Sequence, residues 1–99
     1  MTYNILLQEE AVQEIQEAFE WYENKKVGLG YDLLATIEIC FEQLLHKPNH
    51  FTYINERFRR IKTTRFPYLI VYEVEGNNVF VIGVRHAKRK PINLNIHSE

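Results

Sequence analysis

Two apolar runs lying close together in the second half of the chain constrain the fold more than any other feature. Tyr68-Leu69-Ile70-Val71-Tyr72-Glu73-Val74 and Val79-Phe80-Val81-Ile82-Gly83-Val84 are rich in β-branched and aromatic residues. Between them Gly76-Asn77-Asn78 supplies a turn able to take positive φ. A strand with one wet face alternates apolar and polar residues, whereas both runs are apolar at both parities. Such a hairpin belongs at the centre of a sheet, with helices covering one face. If Gly76 and Asn77 are the two turn residues, the register sets Tyr72 against Val81, Ile70 against Gly83, and Tyr68 against Arg85. Gly83 then leaves space beside Ile70 and the two tyrosines.

The covering helices are written in the first half. Val12, Ile15, Phe19 and Tyr22 recur at three- and four-residue steps with Ala11 and Ala18 beside them, which predicts a helix with one apolar face from Gln8 to about Lys26. Glu9 and Glu10 stand where the helix dipole favours negative charge. Val27-Gly28-Leu29-Gly30 breaks the pattern. A second helix is predicted from about Tyr31 to His46, with Leu33, Ile37, Phe41 and Leu44 as its stripe and Leu34, Cys40 and Leu45 widening it. Pro48 closes it. The two form an antiparallel helical hairpin.

At the start, Tyr3, Ile5 and Leu7 share one face at period two, as a half-buried strand requires. Arg57 to Lys62 reads as a charged strand in which Phe58 and Ile61 break alternation and admit a bulge. After Ala87 the chain turns basic and then polar, and Pro91 prevents continuation of a central strand. The expected architecture is therefore α+β in the order β-α-α-β-β-β. An N-terminal strand and a helical hairpin pack on a mainly antiparallel sheet. With 99 residues, a single domain over 1–99 is expected, since single domains commonly run to roughly 100–150 residues.

Several classes are excluded early. No apolar run approaches the ~20 residues of a membrane helix, and Met1 to Glu10 does not read as a signal peptide. Cys40 is the only cysteine, so an internal disulfide is impossible and a reducing, cytoplasmic setting is expected. It lies in the apolar stripe and reads as a buried thiol. His46, His50 and His97 show no metal-ligand spacing with it. Gly28-Leu29-Gly30 is too short for a dinucleotide loop. No cofactor is expected, and the six tyrosines serve the core more readily than base stacking.

The net charge of −1 hides an asymmetry. Residues 1–50 carry nine acids and three bases, whereas residues 51–99 carry nine bases and four acids. Opposed halves point to charged partners. Arg57, Arg59, Arg60, Lys62 and Arg65 exceed what protection of an edge strand needs and read as a partner-binding surface for carboxylate or phosphate. Arg85-His86, followed by Lys88-Arg89-Lys90, forms a second cluster. His86 reads first as a hydrogen-bonded structural histidine, and alternatively as a general acid or base for phosphodiester cleavage. On a regular strand the adjacent Arg85 and His86 point to opposite faces and cannot share a site.

Three segments together resemble the RelE/ParE superfamily of type II toxin–antitoxin toxins, over nearly the whole chain. They are the helix from Ala11 to Glu23 leading to Gly28-Leu29-Gly30, then Phe58-Arg59-Arg60-Ile61-Lys62 with Arg65-Phe66-Pro67-Tyr68-Leu69-Ile70-Val71-Tyr72, and finally Ile82-Gly83-Val84-Arg85-His86-Ala87-Lys88-Arg89, similar to the His-x-x-Arg ending of ParE-like members. The resemblance implies a growth-inhibiting toxin, of the kind tied to plasmid stabilisation, neutralised by a cognate antitoxin. Its ParE-like branch acts on DNA gyrase, whereas RelE-like members are ribosome-dependent nucleases cutting messenger RNA. The ribonuclease pattern places an arginine directly after the tyrosine of the third strand, where this chain has Leu69, and no tyrosine follows Tyr72. The reading therefore leans to the ParE-like side, with no catalytic set assigned. In the nuclease alternative that set is Arg65, Arg85 and His86. A non-toxic binding module is the third reading. Antitoxin or target contacts are expected at Arg57, Arg59, Arg60, Lys62, Arg65, Arg85, Lys88 and Arg89.

Overall fold

The two apolar runs pair with each other in the middle of a four-stranded sheet. In the computed structural model, residues 2–88 are described. They form strand β1 (Asn4–Leu7), helices α1 (Glu9–Lys25) and α2 (Leu29–His46), a 3₁₀ turn at Pro48–His50, and strands β2 (Arg59–Lys62), β3 (Tyr68–Glu75) and β4 (Asn78–His86). The order across the sheet is β1-β4-β3-β2. β4 runs antiparallel to β3 and β3 antiparallel to β2, while β1 lies parallel to β4. The expected element order and the central hairpin are both present.

The hairpin turns at Gly76, with φ of 62°. A positive φ at the first turn residue suits the twist of the flanking strands and favours glycine. Register runs as expected from Glu75↔Asn78 to Tyr72↔Val81 and then slips by one, so that Val71 faces Gly83, Ile70 faces Val84 and Tyr68 faces His86. Ile82 is the extra residue of a bulge. The expected pairs Ile70 with Gly83 and Tyr68 with Arg85 are thereby corrected. The bulge admitted in β2 lies in β4 instead. Where both parities are apolar, an inserted residue leaves no break in the pattern.

The helices cover one face. Tyr68, Ile70, Tyr72, Val79, Val81 and Val84 meet Leu33, Ile37, Cys40 and Leu44 from α2 and Ala11 and Ala18 from α1. Small residues on α1 let the layers approach closely. Val12, expected in the stripe, is 46% exposed, while Ala11 is fully buried. Leu7 also stays 41% exposed, although Tyr3 and Ile5 pack on the core. α2 begins two residues earlier than expected, at Leu29, so that Gly30 lies inside the helix. A Cβ at Gly30 would sit 2.7 Å from both Cδ1 and the carbonyl oxygen of Phe19, which sets the helix–helix distance. The Glu23 carboxylate accepts the N–H groups of Gly28 and Gly30 at 2.9 Å each. It thereby satisfies donors at the start of α2 and complements its dipole. Tyr72, at the centre of the sheet, donates its hydroxyl to the Pro48 carbonyl at 2.6 Å. No helix among the described residues is long and apolar enough to cross a membrane.

Candidate functional site

β1 stops at Leu7, opposite Val81, and β4 continues five residues further. α1 takes over the uncovered edge. Glu14 accepts the Val84 N–H at 2.8 Å through one carboxylate oxygen and the Arg85 Nε–H at 3.2 Å through the other. One side chain thus terminates a sheet edge and neutralises an arginine whose side chain is only 18% exposed. Gly83 makes room for the pair, since a Cβ there would lie 3.1 Å from Arg85 Nε and 3.2 Å from the Glu14 carboxylate. That corrects the expectation that Gly83 leaves space for the tyrosines.

Beside this junction lies a cavity of about 270 Å³. Glu14, Glu17, Ala18 and Trp21 line it from α1, and Tyr68, Val84, Arg85 and His86 line it from the sheet. Arg85 and His86 therefore share one cavity, against the expectation for a regular strand. The cavity opens on the strand's edge, just after the bulge, where side chains of both faces are within reach. The His86 ring stands edge-on to Tyr68, with centroids 5.3 Å apart. Its Nδ1 accepts the Lys88 N–H at 3.1 Å.

Arg65 is held elsewhere. It adopts φ of 72° in the loop before β3 and pairs with Asp32 of α2 at 3.2 Å. It does not line the cavity. The three residues of the nuclease alternative thus divide into Arg85 and His86 in the cavity and Arg65 on the α2 side.

The remaining cations lie around β2. Arg57 forms a two-pronged pair with Glu73 at 2.9 and 3.1 Å. The hydrogen-bonded carboxylate holds its guanidinium above its ordinary pKa. Arg59 donates to the carbonyls of Asn49 at 3.0 Å and Phe51 at 2.7 Å and stacks 3.7 Å over the Tyr53 ring. Its fork therefore clamps the loop before β2. Arg60 and Lys62 are exposed and share the opposite face of β2, and Lys88 is exposed at the end of β4. Arg89 lies outside the described residues.

Cys40 is buried in the core, and burial pushes its thiol pKa up to about 11. Tyr72 is pushed up to about 12, chiefly by burial. Both are structural groups. Among the described residues no cluster of three His, Cys, Asp or Glu side chains is placed to hold a metal ion.

Glu14, Glu17 and Trp21 were not singled out from the sequence. Glu14 is one of a row of acids on α1, and only its place on the border of the apolar stripe distinguishes it.

Comparison with known proteins decides the family. A model of the ParE toxin of the type II toxin–antitoxin system parDE matches residues 5–91. The chain belongs to the ParE toxin family. No curated protein sequence matches significantly. Among solved structures, the chromosomal ParDE toxin–antitoxin system from P. aeruginosa superposes with a TM-score of 0.77 at 11% identity, covering 88% of this chain and 98% of that one. The isolated E. coli RelE toxin gives 0.66 at 21% identity, over 97% and 96% of the two chains. A double arginine-to-alanine variant of E. coli RelE in the free state gives 0.64 at 21%, over 100% and 94%. These likenesses show that the chain shares its α+β fold with both toxins. The chain is a ParE-type toxin of a type II toxin–antitoxin system.

Proposed function

We propose that this ParE-type toxin is neutralised by a cognate antitoxin on its basic sheet and, once released, arrests growth by acting on DNA gyrase in the cytoplasm. The observation that carries the choice of target is the separation of its candidate catalytic cations. Arg65 is tied to Asp32 of α2, and Arg85 is neutralised by Glu14 of α1. Cleavage of an RNA backbone needs a base, an acid and a cation facing the developing phosphorane charge at one site. The position after Tyr68 is filled by Leu69, which is buried and apolar. We assign no catalytic residue. Arg60 and Lys62 have their charge in solvent and can receive an acidic antitoxin segment, with Lys88 and Arg89 as further contacts. Maintenance of a plasmid is the expected biological setting for such a pair.

One observation favours a second reading. Arg85, His86 and Tyr68 share a cavity, which keeps a ribosome-dependent endoribonuclease as the alternative. Induced expression in a bacterium separates the two. Early arrest of DNA synthesis with chromosome breaks, and intact messages, is the expected result. Abrupt arrest of protein synthesis with cleaved messages rejects gyrase in favour of the nuclease. Undisturbed growth at verified protein levels rejects both and leaves a non-toxic binding module.

A further inference from the structure

The two edges of the sheet are treated differently. β2 carries Arg59, Arg60 and Lys62, and its outer side is occupied by the preceding loop, since Arg60 donates its N–H to the Thr52 carbonyl at 2.9 Å and Tyr53 bridges to Arg59. Among the described residues, β1 is guarded in this way only at Tyr3. Thr2 to Gln8 contains no charged residue and no proline, although charges and prolines are the usual guards of an edge strand. The bonds from Asn4 N–H to Asn77 and from Gln8 N–H to Val81 fix the parity of the ladder. Even-numbered residues of β1 bond to β4, and odd-numbered ones turn their backbone groups outward. Tyr3 N–H is met by the Leu45 carbonyl at 2.8 Å. Among the described residues, no further backbone bond closes the outer edge at Ile5 and Leu7. Beside this edge Leu6 and Leu7 are 44% and 41% exposed.

We propose that the outer edge of β1 is a homodimer interface, where a second copy of this chain adds its own β1 antiparallel and joins the two sheets. The parity selects one register. Only Ile5 and Leu7 offer outward pairs, so Ile5 of each copy exchanges two bonds with Leu7 of the other, and the two-fold axis falls on Leu6. Leu6 then meets Leu6 of the second copy as a non-hydrogen-bonded pair, the closer kind, with side chains in contact on the face away from the helices. Leu7 is covered on the helix face by Ile5 of the second copy. Charge selects a copy over an acidic antitoxin strand. The edge leads directly into Glu9 and Glu10, which repel acidic chains, whereas the antiparallel copy brings its uncharged Thr2 and Tyr3 side chains beside them. A pair of four-residue strands alone buries less than the ~1,200 Å² of a stable interface, so the dimer depends on concentration.

Sedimentation equilibrium and amide hydrogen exchange on the full chain test this. With rising concentration the apparent mass is expected to climb from 11.9 kDa toward twice that, and protection is expected at the Ile5 and Leu7 amides. Leu6→Lys opposes two ammonium groups at the axis. Leu7→Pro deletes an outward N–H and leaves the bonds to β4 untouched. Both are expected to remain monomeric with the helix signal of the parent; should Leu7→Pro fail to fold, Leu6→Lys and the exchange data decide. A monomer at the highest soluble concentration, or a dimer that survives both substitutions, overturns the proposal. Protection of Ile5 and Leu7 that appears only when antitoxin is added overturns it too and assigns the edge to the antitoxin.

Discussion

The Glu14 carboxylate receives the Val84 amide of a strand whose neighbour has already ended, and it holds the Arg85 guanidinium with its second oxygen. A helix side chain thereby stands in for a missing strand. Removing it exposes an edge amide and takes one carboxylate away from a partly buried cation. Glu14→Ala is expected to lower the unfolding free energy by about 1.5–3 kcal/mol, the range for bonds to charged groups. Glu14→Gln keeps an acceptor for Val84 and should lose less. Urea denaturation followed by circular dichroism measures both.

Two glycines two residues apart make opposite predictions about space. At Gly30 an added methyl meets the Phe19 backbone carbonyl at 2.7 Å, which cannot swing aside. Overpacking of ~1–3 kcal/mol then outweighs the roughly 1 kcal/mol that alanine gains over glycine in a helix. At Gly28 nothing stands within 4 Å, and the obstacle is φ of +91°. Gly28→Ala should cost about 1–2 kcal/mol from the left-handed backbone alone. Thermal melting distinguishes them, because asparagine, which tolerates the left-handed backbone, should cost less than alanine at Gly28 and should not be spared at Gly30.

Neighbouring arginines should separate folding from recognition. Arg59 clamps two carbonyls and a tyrosine ring, so Arg59→Ala is expected to destabilise the fold by about 1–3 kcal/mol. Arg60 is exposed, and Arg60→Ala should change stability by less than about 0.5 kcal/mol. Its effect should fall on antitoxin affinity and on the salt dependence of binding. Calorimetry at two ionic strengths checks this. Unaltered affinity and salt slope would take Arg60 out of the interface.

Alkaline pH should unfold the protein through two buried acids. Tyr72 is raised to about 12 from 10.0 and Cys40 to about 11 from 9.0. Both stay neutral longer in the folded state than in the unfolded chain. Their contribution is complete below pH 9 and is lost as pH climbs through 9–11 for Cys40 and 10–12 for Tyr72. Tyr72→Phe leaves the Pro48 carbonyl without its donor and should cost about 1–2 kcal/mol at neutral pH. It should also flatten the decline between pH 10 and 12, read from denaturation midpoints against pH.

The large elements were legible because period and composition agree. Leu33, Ile37 and Leu44 mark α2 by spacing, and the twin apolar runs mark the centre of the sheet. What escaped depends on contacts a pattern does not carry. Val12 outranks Ala11 in hydrophobicity, yet close approach of α1 to the sheet favours the smaller residue. The bulge at Ile82 lies in a run apolar on both faces, so its position left no trace. It moved His86 opposite Tyr68 and opened the cavity's edge to two adjacent side chains. Arg57, Arg59 and Arg65 looked alike in the sequence, and only tertiary partners separate them from the exposed Arg60 and Lys62.

The parallel pairing of Asn4 with Asn78 joins the beginning of the chain to its last described strand. Closing so long a loop is slow compared with forming the helical hairpin, whose contacts are local. During synthesis β1 has no partner until β4 has been made, and the apolar runs of the sheet stay incompletely covered until then. The sheet of the toxin is consequently complete only once β4 has been made.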